Sequence, residues 1–158
     1  MITTAIFPSR YVQGPGALDM LGEELARHGK QALLLQDTFV SEHFGSQIKA
    51  SLGGKINAQQ ETFKGECCDE EIERLCALAR QAGADVVAGV GGGKTLDTAK
   101  AVAHTLGLPV AIAPTIASTD AACSALSAIY PANGEFSRYL VLPQNPNLVL
   151  GGTAIVAA

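Results

Sequence analysis

Tryptophan is absent from this 158-residue chain, and aromatic residues make up only 5% of it. With 47% hydrophobic residues and a mean hydropathy of +0.22, its core must be aliphatic, built from Ala, Val, Leu and Ile. That balance excludes a disordered chain and suits helices packed on a parallel sheet. No apolar run approaches the roughly 20 residues a membrane helix needs, so no membrane partner is expected. Clusters of Lys and Arg are also missing and the net charge is −4, which removes the usual electrostatic footprint of a nucleic-acid binder. The first residues, 1–8, lack a basic stretch followed by a long apolar core. They do not read as a signal peptide, and a cytoplasmic location is the expectation. Cys67, Cys68, Cys76 and Cys123 form no C-x-x-C pair. They are expected to be structural thiols in a reducing compartment. His28, His43 and His104 are scattered, so no His-based metal site is expected inside this chain. The length suits one domain, residues 1–158.

What is present is an alternation of two apolar periodicities. Tyr11–Gln13 is strand-like and ends at Gly14-Pro15-Gly16. Leu18, Leu21 and Leu25 mark one face of a helix over 17–28, and Gln31–Leu35 is a buried strand. A helix over 39–52 follows, then a weaker strand over 55–63, then a helix capped by Asp69 with Ile72, Leu75, Cys76 and Ala79 as its buried stripe. Asp85–Val90 predicts a strand, Lys94–Leu106 a helix and Pro109–Ala113 another strand. This β-α order predicts an α/β fold, a Rossmann-like open parallel sheet with helices on both faces. Two later strand-like runs, 125–130 and 136–142, flank Asn133-Gly134 and predict a β-hairpin. Leu148–Leu150 is a last strand.

Ligands bind such sheets beyond the carboxyl ends of the strands, and three features fall there. The first is Gly91-Gly92-Gly93-Lys94-Thr95, between a strand and a helix. Glycines let the backbone approach an anion, and a helix start offers unpaired N–H groups and a positive dipole end. The loop is expected to bind phosphate, with Lys94 adding a point charge. It is not G-x-G-x-x-G, because Lys94 takes the last glycine position. A P-loop would need glycine at 88, where Ala88 stands. A P-loop-like, ATP-binding or phosphotransfer module is the runner-up reading, and a non-catalytic assembly surface a third. The second feature is Asp37, suited to a ribose diol or to capping the helix that follows it. The third is the small polar stretch 114–124, whose hydroxyls at Thr115, Ser118, Thr119 and Ser124 suit a ligand or a capped turn, with Asp120 among them.

The run from Gly91 to Lys100 resembles the G-G-G-K-[S/T]-x-D-x-A-K signature of the iron-containing alcohol dehydrogenase superfamily. The run from Ala113 to Ala121 resembles its glycerol dehydrogenase branch, as do Tyr11–Gly14, Gly65-Glu66-Cys67 and Arg138-Tyr139-Leu140. The likeness covers essentially the whole chain. It implies NAD-linked oxidation of glycerol to dihydroxyacetone with zinc or a similar divalent metal. By position it implies that Asp37 holds the adenosine ribose and that Gly93 and Lys94 belong to the diphosphate loop. Thr115, Ser118, Ser124, Leu126 and Tyr130 would be further NAD contacts, and Asp120 would contact glycerol.

Two departures stand out: Ala122 replaces a usual proline, and Gly151-Gly152-Thr153 replaces a Val-Asp-Thr type sequence. The resemblance also implies a helical domain beyond Ala158 that carries the metal ligands, one Asp and two His. The isolated chain is therefore expected to bind NAD, to turn over negligibly, and to self-associate through an apolar face.

Overall fold

Residues 9–115, 126–131, 138–142 and 145–152 are described by the computed structural model. Among the described residues there are eight strands: β1 (Arg10–Gly14), β2 (Gln31–Gln36), β3 (Asn57–Thr62), β4 (Val86–Gly91), β5 (Val110–Pro114), β6 (Leu126–Ile129), β7 (Arg138–Val141) and β8 (Leu148–Gly152). Four α-helices accompany them: α1 (Leu21–Leu25), α2 (Thr38–Leu52), α3 (Asp69–Ala82) and α4 (Gly93–Leu106). Six strands form one parallel sheet in the order β1-β8-β5-β4-β2-β3. The α/β fold expected from the alternation is the one observed.

Successive residues of a strand face opposite sides, and the core divides accordingly. Ala32, Leu34, Val86, Ala88 and Val90 pack with Leu21 and Leu25 of α1 and with Val40, Ile48 and Leu52 of α2. Leu33, Leu35, Val87 and Ile112 pack with Leu75 and Ala79 of α3 and with Leu96, Ala99 and Val102 of α4. Each fully buried leucine is worth about 1.5–3 kcal/mol relative to exposure. Small residues set the layer spacing. A Cβ on Gly89 would lie 2.7 Å from the Ala99 Cβ, so α4 sits almost on the β4 backbone. Gly83 and Gly107 close α3 and α4 with φ of +67°, the left-handed C-cap that glycine adopts freely.

Three details differ from the sequence reading. The helix expected over 17–28 is a 3-10 turn (Ala17–Met20) followed by the short α1. Within α1, Gly22 packs closely on α2: a Cβ there would lie 2.1 Å from the Ser51 carbonyl oxygen, and the Gly22 N–H donates to Ser51 Oγ at 2.9 Å. The cap of α3 is Cys68, not Asp69. Asp69 is instead the first helical residue, and its carboxylate accepts both Arg138 Nη2 at 2.8 Å and Nη1 at 3.1 Å. Finally, β3 covers Asn57–Thr62 rather than 55–63; in the same sheet β8 lies between β1 and β5.

Strands β6 and β7 pair antiparallel, with Leu126 opposite Val141 and Ile129 opposite Arg138. The turn expected between them, with Asn133 and Gly134, lies outside the described residues. Among the described residues, no helix is long and apolar enough to cross a membrane.

Candidate functional site

The strand order places a crevice. From β2 the chain leaves through α2 toward β3 on one side, and from β4 it leaves through α4 toward β5 on the other. The two helices pack on opposite faces of the sheet. Strands β2 and β4 are neighbours, with Gln36 opposite Val90. The residues that follow, Asp37 and Gly91, therefore flank the point where connections diverge, which is where open parallel sheets hold ligands.

Asp37 serves both roles that its sequence position left open. Its Oδ1 accepts the Val40 N–H at 2.8 Å and caps α2, while Oδ2 accepts the Gly92 N–H at 3.3 Å. A capped helix start and the glycine loop are thus joined through one half-exposed carboxylate. Gly91 must be glycine for reasons of space: a Cβ there would lie 2.6 Å from Asp37 Oδ2, 2.9 Å from Thr95 Oγ1 and 3.0 Å from Thr95 Cβ. Gly92 caps α4 without any side-chain hydrogen bond, and Gly93 is the first helical residue. The opening N–H groups of a helix have no intrahelical acceptor, so α4 presents donors and a positive dipole end at the crevice. Thr115 joins the same rim from β5, its N–H donating to the Gly91 carbonyl at 2.9 Å.

Lys94 lies one step to the side. Its ammonium donates to Glu66 Oε1 at 2.9 Å and sits 5.7 Å from the centroid of the Tyr130 ring. The Tyr130 N–H donates to the Cys67 carbonyl at 2.6 Å, which ties the end of β6 to the segment carrying Glu66. Asp37, Gly91, Gly92, Gly93 and Thr115 are therefore one group, and Lys94, Glu66 and Tyr130 a second beside it. Leu126 heads β6. Ser118, Asp120 and Ser124 lie outside the described residues.

Three participants have no role of their own in the sequence reading. Glu66 enters it only as part of a resemblance. Asp97 and Lys100 enter it as part of a signature, and the structure makes them structural. The Lys100 side chain is fully buried and its ammonium lies 3.1 Å from Asp97 Oδ1. Asp97 Oδ2 accepts the Ala128 N–H at 3.1 Å, and its main-chain carbonyl accepts Ser127 Oγ at 2.9 Å. The second half of the signature thus fastens β6 to α4. The i,i+3 spacing of Asp97 and Lys100 on a helix is the available signal.

Burial pushes the Cys67 thiol up to about 11, although a hydrogen bond with Thr98 pulls the other way. Burial thus disfavours the thiolate, the reactive form of a cysteine. Among the described residues, no group of three or more His, Cys, Asp or Glu is placed to hold a metal ion.

A glycine loop at the divergence point of a parallel sheet, with a carboxylate one strand away, defines a Rossmann-like α/β domain. The sequence profile of the iron-containing alcohol dehydrogenases matches residues 8–151, and the chain belongs to that family. It is 58% identical over 157 residues to the glycerol dehydrogenase of Thermotoga maritima, a match that covers 99% of this chain and 43% of that protein. It is 42% identical to a glycolaldehyde reductase of Halobacterium salinarum, over 98% of this chain and 43% of that protein. Its structure superposes on a probable glycerol dehydrogenase from Sinorhizobium meliloti 1021 with a TM-score of 0.91 and 43% identity, covering 100% of this chain and 43% of that one. The chain therefore spans about two fifths of the length of these relatives. The P-loop reading gains no support from any of these matches.

Proposed function

We propose that this chain is the coenzyme-binding part of an NAD-dependent glycerol dehydrogenase, which oxidises glycerol to dihydroxyacetone. The observation that carries the reading is the glycine cradle that opens α4, whose N-cap Gly92 makes no side-chain hydrogen bond and leaves the first-turn N–H groups without a side-chain cap. Such a cradle suits a diphosphate seated against backbone N–H groups. The first-turn N–H groups of α4 hold the diphosphate. Asp37 keeps its backbone bonds to Val40 and Gly92, and its remaining lone pairs accept the two hydroxyls of the adenosine ribose. The same carboxylate repels a 2′-phosphate, which favours NAD over NADP. Thr115, Ser118, Ser124, Leu126 and Tyr130 complete the pocket, and Asp120 meets glycerol.

When bound, NAD would supply the hydride acceptor for the alcohol, and a zinc or similar divalent ion would supply a Lewis acid for its hydroxyl. Among the described residues of this chain, no group of three or more His, Cys, Asp or Glu is placed to hold it. The role of this chain is to bind and orient the coenzyme at the sheet edge.

Calorimetric titration tests the reading. NAD is expected to saturate one site, NADP to bind about tenfold more weakly or worse, and ATP with magnesium to give no signal. In the full-length protein, glycerol should drive NADH formation that chelation abolishes, with glycolaldehyde reduction as a second assay suggested by the relatives. A chain that binds ATP with magnesium and ignores NAD overturns the proposal.

A further inference from the structure

The Glu66–Lys94 pair has a feature that an ordinary surface ion pair lacks. Lys94 is half exposed, and pairs of that kind contribute little to stability. Glu66, however, keeps only 29% of its side-chain surface, and its second oxygen, Oε2, is buried without a hydrogen-bond partner. An ionised oxygen left in that state costs free energy. Its charge is therefore directed at the cation beside it, the Lys94 ammonium. The backbones on either side of the pair are anchored: Lys94 lies in the first turn of α4, and residue 67 is tied to Tyr130 through the backbone.

We propose that Glu66 is a positioning residue that parks Lys94 and cancels part of its charge, so that the diphosphate site binds its coenzyme more weakly than the bare loop would. This rests on the coenzyme reading above. An ammonium has three donors, so Lys94 reaches a phosphate oxygen only while sharing itself with Glu66 or by leaving that half-buried carboxylate uncompensated. Both routes reduce the gain from anion binding. The device tunes affinity downward in a site that must release its coenzyme in every cycle.

Titration of wild type and E66Q with NAD, ADP-ribose and adenosine tests this. The amide introduced by E66Q keeps an oxygen for Lys94, removes the charge and puts an NH2 group in place of Oε2. We expect E66Q to bind NAD and ADP-ribose about three- to tenfold more tightly, with a steeper salt dependence. Adenosine, which has no diphosphate, should bind unchanged. The gain should vanish in a K94M background, and E66D, which keeps the charge, should stay near wild type. Unchanged or weaker diphosphate binding by E66Q overturns the inference. So does an equal shift for adenosine, or a gain that survives K94M. A wild-type chain without affinity for NAD overturns the coenzyme reading and this inference together, whereas wild-type binding with an unresponsive E66Q overturns this one alone.

Discussion

Lys94 and Lys100 stand less than two turns apart on α4, and each faces a carboxylate. Their surroundings are opposite. The Lys94 side chain is 52% exposed and that of Lys100 is fully buried. An exposed pair is screened and adjustable, so it suits a site where a ligand's charge comes and goes. A buried pair is costly to break because the remaining charge has no water to turn to. One short signature thus encodes two kinds of lysine, the first exposed beside the glycine loop and the second holding the fold.

The largest effect should come from breaking the buried pair. Asp97→Ala removes the carboxylate beside Lys100 and the acceptor of the Ala128 N–H together. Loss of one partner of a buried pair costs about 3–5 kcal/mol, a large share of the roughly 5–15 kcal/mol that a domain possesses. Urea unfolding should show the midpoint falling steeply. The double variant D97N/K100M keeps an acceptor and removes both charges, so it should recover much of the loss. If D97A unfolds like wild type, the division between the two lysines fails.

At the rim, effects should appear in binding before stability. Gly91→Ala forces a methyl group against Asp37 Oδ2 and Thr95. The carboxylate must swing away from Gly92 and Val40, and overpacking of this kind costs about 1–3 kcal/mol. NAD affinity should fall about tenfold or more, measured by calorimetry. A milder change is Asp37→Asn, which keeps a cap for α2 but discards the negative charge. It should weaken NAD modestly and narrow the preference for NAD over NADP by about tenfold, a difference near 1.4 kcal/mol.

The sheet and its helices are legible in the sequence because their signals are local. Runs such as Leu33–Leu35 and Val86–Val90 are apolar on both sides, which only a strand covered on both faces requires. The glycine loop is legible for the same reason, since consecutive glycines before a helix have few other uses. The position of β8 is not, because nothing in Leu148–Leu150 says which strands it will lie between. The two jobs of Asp37 are hidden as well. Its bond to Val40 is local, but its bond to Gly92 spans 55 residues and exists only once β2 and β4 pair. Glu66 is illegible on its own, since a glutamate after a glycine reads as surface until Lys94 and Tyr130 are seen beside it. The split of the helix over 17–28 escapes the periodicity because Leu18, Leu21 and Leu25 are buried on one side in both the 3-10 turn and α1.

A third pair tests where the boundary between the two lysine regimes falls. Glu24 on α1 is 1% exposed, but its partner Arg10 on β1 is 43% exposed. The guanidinium grips it through Nε–Oε2 at 2.7 Å and Nη2–Oε1 at 3.0 Å, with Arg27 Nε a further 3.4 Å from Oε2. The Arg10 hydrogen bond is the main cause that holds the Glu24 carboxyl below its ordinary range, against the opposing effect of burial. A lowered carboxyl contributes stability above its unfolded value, and that contribution disappears as pH falls through the lower folded value. Wild type should therefore lose stability between neutral pH and the acid side of the usual glutamate range. Glu24→Gln should be less stable near neutrality and should lose less on acidification, so that the two thermal unfolding curves converge at low pH. The effect should be the smallest of the four, because half of the pair is in water. Parallel curves at every pH would place Glu24 with the exposed pair of Lys94, and a gap as large as that of Asp97→Ala would place it with Lys100.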